Sequence, residues 1–479
     1  MAKKLAFPRP RRDIEYVEGW GMATGAVSRV LRPVNVEEIV AAYEIARAEG
    51  VSIGLRGTGC SYGDASVNAR GHVLEMTRMN RLLAFDERTG VATCEGGVTI
   101  EQLWKHVLPL GFWPRVVSGT MFPTLGGALG MNIHGKNNFA VGTIGDAVRE
   151  FDIVLVSGEV RTCNRESNAD LFHAAIGGFG MLGTISRVVI ETNKVHSGDL
   201  EVRAKSCPTL REIMAYMEEH RRTSDYLVAW VDCFGDGEEL GRGLIHDARY
   251  LASGEDASPE TTLTLAHQDL PKNILGVVPK GEVWRALRLF NHDVGMQTIN
   301  FAKYLAGQME ERAGPHRQAH AAFAFLLDYV PNWKWAYGRG EKRGLIQYQA
   351  FVPKETAADV YEEILRRCQR AGIVPYLGVL KRHRPDPFWL THSNDGWSFA
   401  LDFKVTPANR GDLWRHCAEL TRVVLAGRGK FYFAKDLVIG SQDMVSMFPP
   451  EKLNAFLELK RRLDPTTLLQ TDLSRRVMP

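Results

Sequence analysis

At 479 residues the chain exceeds the length at which a single hydrophobic core keeps growing, so two domains sharing an interface are expected. Charged residues make up 24% and the net charge is only +3, which excludes a nucleic-acid footprint spread over the molecule but suits small anionic ligands. Seven cysteines, without a C-x-x-C pair or metal-ligand spacing, read as reduced thiols; they point to the cytoplasm and to no metal site.

Residues 1–14 form a basic tail that lacks the apolar stretch of a secretory signal. Nowhere does an uncharged apolar run approach the roughly 20 residues needed to span a bilayer, so membrane contact is expected to be peripheral at most. An apolar stripe predicts a helix over 36–46, and a short strand at 51–55 leads into the glycine-rich run Leu55-Arg56-Gly57-Thr58-Gly59-Cys60-Ser61-Tyr62-Gly63-Asp64-Ala65. Such a run frees backbone N–H groups and lets a ligand approach the chain closely, as a nucleotide diphosphate requires. Strands at 73–76 and 90–94 and a helix at 100–107 follow. A second run then starts at Gly119-Thr120, continues through Thr124-Leu125-Gly126-Gly127-Ala128, and ends at Met131-Asn132-Ile133-His134-Gly135-Lys136-Asn137. With a strand at 151–156, a mixed α+β unit extends to about residue 195.

Two literal motif matches point elsewhere and fail on context. Gly59-Cys60-Ser61-Tyr62-Gly63 fits the hydrolase pattern G-x-S-x-G, but residues 64–71 lack the helical period that must follow the serine. Gly178-Phe179-Gly180-Met181-Leu182-Gly183 fits G-x-G-x-x-G, yet a helix precedes it (170–176) and a strand follows it (184–190), the reverse of a dinucleotide fold. From 196 to 410, strands at 226–232, 345–352 and 397–403 alternate with long helices, the pattern of a second sheet covered on one face. The stretch 269–311 shows apolar-basic helix-like turns after residue 279 but no clean strand order, and reads either as cover for a site mouth or as peripheral packing.

The two glycine runs, Ser157-Gly158-Glu159-Val160, Asp170-Leu171-Phe172 and Gly180-Met181-Leu182-Gly183-Thr184-Ile185 resemble the PCMH-type FAD-binding domain of the vanillyl-alcohol-oxidase superfamily. His134-Gly135-Lys136-Asn137, Gln347-Tyr348-Gln349, Lys381, Gly396-Trp397, Ala434-Lys435-Asp436 and Asp472-Leu473-Ser474-Arg475-Arg476 extend the likeness to the decaprenylphosphoryl-ribose oxidases within it. The resemblance implies an α+β fold: an FAD-binding domain at 15–195, a substrate domain at 196–410 with an antiparallel sheet covered by helices, and a segment at 411–479 returning to the first. It also implies oxidation of the C2 hydroxyl of a polyprenyl-phosphoryl ribose to a ketone, half of an epimerisation to arabinose for cell-wall arabinan. A nicotinamide-dependent reductase would be the partner. Many members hold FAD covalently through a histidine where this chain has Cys60, so noncovalent FAD is expected.

Carried over residue by residue, the cofactor contacts would be the first run from Leu55 to Ala65, then Gly119, Thr124, Leu125, Gly126, Gly127, Met131, Asn132, Ile133, His134, Ile185 and Tyr432. Lys435, His134 and Tyr62 would be catalytic, and Gln347, Gln349, Lys381 and Ser398 would bind substrate. Ala400 and Ser398 depart from the cysteine and asparagine of mycobacterial members. The residues themselves are consistent with these roles. Lys435 follows the aromatic strand Phe431-Tyr432-Phe433, where its ammonium can stabilise an alkoxide, or serve as base if burial lowers its pKa. Gln347 and Gln349 share a strand face, suited to sugar hydroxyls. Lys381 opens the basic cluster Lys381-Arg382-His383-Arg384, suited to a phosphate. Trp333 and Trp335 are candidates to line the sugar or lipid path. The same FAD domain would also serve an aldonolactone or alditol oxidase using dioxygen, or a flavin-containing binding protein without turnover.

Overall fold

A computed structural model describes residues 13–270, 273–274, 278–338, 340 and 343–479. Nearly all of the basic tail therefore lies outside the described residues. Two sheets form the N-terminal part. A four-stranded sheet runs in the order Ile14–Glu18, Gly25–Leu31, Gly71–Glu75, Ser52–Arg56, antiparallel in its first pair and parallel in the others. Helix Val36–Ala48 packs on it; Asn35 caps its start by accepting from Glu38 N, and Glu37 and Glu38 complement the dipole. An antiparallel sheet follows in the order Leu82–Asp86, Val91–Glu95, Thr184–Lys194, Val148–Val154, Val160–Asn164, with Phe112–Pro114 pairing on the end of its long central strand. Residues 64–70 hold no helix, and a turn joins helix Ala169–Ala175 to strand Thr184–Lys194, so neither rejected motif has the helix it needs after it.

The second part is one antiparallel sheet of eight strands in the order His316–Ala319, Asp199–Cys207, Gly243–Tyr250, Tyr226–Val231, Leu377–His383, Gly396–Val405, Gly344–Pro353, Lys430–Phe431. Helices Leu210–His220, Ala357–Ala371 and Arg410–Ala426 cover one face; Tyr348 reaches Thr421 there, and Tyr361 donates to Ala350 O and Trp397 O. Alternation turns Gln347, Gln349 and their cross-strand neighbours to the opposite face. The stretch without strand order is largely helical, with Val283–Phe290 and the longer Asp293–Ala313. His292 accepts from Gly295 N at the start of the latter, and Glu311 ties its end to Lys205 and Ser206.

The C-terminal stretch returns to the first sheet. Ile53 N donates to Leu468 O and Gln470 N to Ile53 O, while Arg476 bridges the buried carboxylates of Asp64 and Asp436 at 2.7 Å each. Among the described residues no helix is long and apolar enough to cross a membrane, and no group of three His, Cys, Asp or Glu is placed to hold a metal. All seven cysteines are free.

Candidate active site

The two glycine runs and the open face of the eight-stranded sheet enclose a cavity of about 420 Å³. Local chemistry locks the runs together. Thr58 Oγ1 donates to Phe122 O at 2.7 Å, and Gly57 sits so close to Thr124 that an added Cβ would lie 2.2 Å from its hydroxyl. Thr124 in turn caps helix Leu125–Gly130 by accepting from Gly127 N. A third wall comes from residues 179–185, where Phe179, Gly180 and Gly183 adopt positive φ and turn the backbone toward the cavity. The G-x-G-x-x-G match thus builds the pocket without being a dinucleotide fingerprint.

Of the residues singled out in the sequence, Leu55, Arg56, Gly57, Thr58, Gly59, Cys60, Ser61, Ala65, Gly119, Thr124, Gly126, Gly127, Met131, Ile133, His134, Ile185 and Tyr432 line this cavity from the loop side. Gln347, Gln349, Lys381, Ala400 and Lys435 line it from the sheet side. Tyr62, Gly63, Asp64, Leu125, Asn132 and Ser398 do not. Tyr62 lies just beneath, with Lys435 Nζ 3.7 Å from its ring centroid and Trp20 packed against it at 4.5 Å. Gly63 abuts the backbone of Asp436, and Asp64 is engaged by Arg476. Leu125 is core, and Asn132 turns away to Asp386 and Gly145 N. Ser398 stands behind Gln349, whose Nε2 donates to its Oγ at 3.3 Å. Trp333 packs on Trp20 and Tyr337, and Trp335 on Trp284, so neither lines the path. The basic cluster splits by strand alternation: Lys381 faces the cavity, whereas Arg382 pairs with Glu218 and Asp395, and Arg384 lies against Asp146.

The sheet register explains which polar groups meet. Gln349 pairs with Ala400 and Ala400 with Val379; Gln347 pairs with Asp402, and Ser398 with Lys381, so all share one face. Gln347 Nε2 donates to Asp402 Oδ1 at 2.6 Å, and Gln349 Nε2 to His134 Nε2 at 3.2 Å. His134 Nδ1 then faces His392 Nε2 at 3.3 Å; with Nε2 accepting from the Gln349 amide, Nδ1 carries the proton and donates to His392. Burial, with the nearby Lys381 charge, holds His134 well below the usual histidine range, so this imidazole is neutral.

Burial also sets the lysines. Lys435 is pushed far below the ordinary lysine value by desolvation, with Lys381 adding repulsion and Asp402 opposing, while the enclosed Asp402 carboxyl is pushed up. Desolvation lowers Lys381 to about 8, and no hydrogen bond from its ammonium is found among the described residues. Sequence reasoning gave no site role to Trp230, His246 and Lys303 on the far side of the cavity, or to Asp402 and His392 behind it, and His383 of the basic cluster meets Ser398 Oγ there. The register of the strands reveals Trp230, His246 and Asp402, whereas Lys303 comes from helix Asp293–Ala313 and His392 from the loop before strand Gly396–Val405; no local motif marks them.

Comparison with known proteins supplies the cofactor. Residues 27–164 match the family model described as an FAD binding domain. The chain is 29% identical to the decaprenylphosphoryl-beta-D-ribose oxidase of Mycolicibacterium smegmatis, over 96% of each chain. It is 26% identical to the L-gulonolactone oxidase of Mus musculus over 44% of this chain and 47% of the other. The cavity suits FAD: the close approach at Gly57 leaves bare backbone where a diphosphate needs amide donors, and the space continues to the polar sheet face.

Proposed function

We propose that this FAD-dependent oxidoreductase of the PCMH-type flavoproteins oxidises a secondary hydroxyl of a polyprenyl-phosphoryl ribose at C2, giving the ketone. A nicotinamide-dependent reductase would then complete an epimerisation to arabinose. The observation that carries this reading is the placement of two half-buried, desolvated lysines, Lys435 and Lys381, with Gln347 and Gln349 on one cavity face. The likeness to the Mycolicibacterium enzyme over nearly the full length of both chains favours the lipid-phosphoryl sugar.

FAD, when bound, supplies the acceptor for the hydride from C2. The rest falls to side chains. Lys435, lowered to about 7 by desolvation so that its free amine is available near neutrality, accepts the hydroxyl proton as the C–H bond breaks, and the resulting ammonium is balanced by Asp402. Gln347, oriented by Asp402, and Gln349, oriented by His134 and Ser398, hold the sugar hydroxyls. Neutral His134 keeps a second positive charge away from Lys435. Lys381 binds the phosphate with an ammonium not committed elsewhere. Anaerobic incubation with the phosphoryl ribose, followed by borodeuteride, should place deuterium at C2 of the recovered sugar. Recovery without deuterium, or with it at another carbon, contradicts the reading.

A further inference from the structure

Among the described residues, the cavity is lined by Arg56 and four lysines, Lys136, Lys303, Lys381 and Lys435, and by no aspartate or glutamate. Arg56 belongs to the first glycine run and Lys435 to the reacting end, which leaves three lysines at the end built by strands Tyr226–Val231, Gly243–Tyr250 and Leu377–His383. Lys303 reaches there from helix Asp293–Ala313, with its Nζ 4.7 Å from the Trp230 ring centroid. The three act on one another and on a histidine between them: the Lys381 charge adds to the desolvation of Lys136, and burial with the Lys303 and Lys136 charges lowers His246 to about 4. A cleft lined by one sign of charge concentrates ligands of the other.

The donors left over are those of Lys303 and Lys381, since no hydrogen bond from either ammonium is found among the described residues. Glu310 is the acid that bears on Lys303, yet it stands outside the lining, 3.9 Å from both His246 and His316. Lys136 already donates to Phe323 O and Ala324 O, so one of its three N–H groups remains, and neutral His246 adds a hydrogen bond without a charge. Trp230 pairs with Val379, and Lys381 follows Val379 by two residues on the same face, so Lys303 and Lys381 flank the cavity about 7 Å apart along the strand. Two charge-assisted hydrogen bonds of about 2.8 Å and the width of a phosphate cover that span. Donors converging from a helix, two strands and a loop suit tetrahedral phosphate better than a planar carboxylate, and Trp230, Leu377 and Val379 supply apolar wall beside them. We propose that Lys303 is a specificity-determining residue, which closes a phosphate subsite with Lys381 and selects a prenyl-linked phosphate. The prenyl half of this assignment rests on the substrate reading above.

The test titrates the full-length FAD-loaded protein with geranyl phosphate by calorimetry, so that binding is read without turnover. Wild type should bind, Lys303→Ala should raise the dissociation constant by about tenfold, and Lys303→Arg, which keeps the charge, should stay within about threefold of wild type. Lys303 is exposed on its helix, so melting temperature and FAD content should hold at wild-type values in both variants. The alanine variant should also raise the half-saturating concentration of phosphoryl ribose in flavin reduction by about tenfold. Wild type that does not bind geranyl phosphate, an alanine variant that binds it as wild type does, or an arginine variant as weak as alanine overturns the proposal. Subsite and substrate fail separately. Lys303-dependent binding of geranyl phosphate without flavin reduction by the phosphoryl ribose sinks the substrate reading alone, whereas reduction with an unchanged half-saturating concentration in Lys303→Ala sinks the subsite alone.

Discussion

Lys435 is the residue at which the proposed mechanism turns desolvation into chemistry. Its desolvated amine sits over the Tyr62 ring, and only the unprotonated form can accept a proton, so flavin reduction should speed up as pH rises through neutrality and level off above it. A rate that falls over the same range would make the ammonium the acting species. Lys435→Ala should retain FAD yet slow reduction by about 100- to 10,000-fold. A variant within about threefold of wild type, well under about 1 kcal/mol, would remove Lys435 from the mechanism. Lys435→Arg should not restore the rate, because a guanidinium does not give up its proton. At Cys60 the thiol is pushed above its usual pKa by desolvation, which disfavours the nucleophilic thiolate. Acid precipitation should accordingly release FAD into the supernatant; an intact denatured chain heavier by one FAD, and lighter again in Cys60→Ala, would show a covalent link.

The elements show what a linear reading captures and what it misses. Helix 36–46 and strands such as 345–352 were legible because their periodicity is local, and the structure extends them only by a residue or two at either end. Helix Asp293–Ala313 was legible only as helix-like turns and not as one packed helix, because its apolar residues form a stripe that faces solvent and its packed side is built from glycine, asparagine and tyrosine. The cavity-lining glycines were readable as a cradle, yet the partners of Tyr62, Asp64 and Ser398 were not, since each is set by a segment hundreds of residues away or by strand register. Two element-level outcomes follow. Gly57→Ala drives a methyl into Thr124 and should weaken FAD binding by about tenfold or more, measured by flavin fluorescence on titration of apoprotein. Arg476→Ala strands Asp64 and Asp436 in the interior and should cost about 3 kcal/mol in denaturant unfolding. Unchanged FAD affinity in the first, or an unchanged midpoint in the second, would contradict these assignments.

At the scale of the molecule, the site exists only where separate parts of the chain meet. The loops from 55–65 and 119–134 supply backbone for the cofactor, the eight-stranded sheet supplies Gln347, Gln349 and Lys381, and the stretch after Lys430–Phe431 brings Lys435 between them. That division explains how one FAD-binding domain can serve relatives named for different sugars and lactones, since the groups that select a substrate come from the sheet. If Lys381 on the sheet binds phosphate as proposed, selection should favour an anionic glycosyl phosphate over a neutral sugar. The most direct test is anaerobic stopped-flow reduction of the FAD-loaded protein by a polyprenyl-phosphoryl ribose, set against galactonolactone and xylitol. The phosphoryl ribose should bleach the flavin absorbance at a saturable rate, with Lys381→Ala raising the half-saturating concentration by about tenfold. Bleaching by the lactone or the alditol in preference to the phosphoryl sugar would contradict the account.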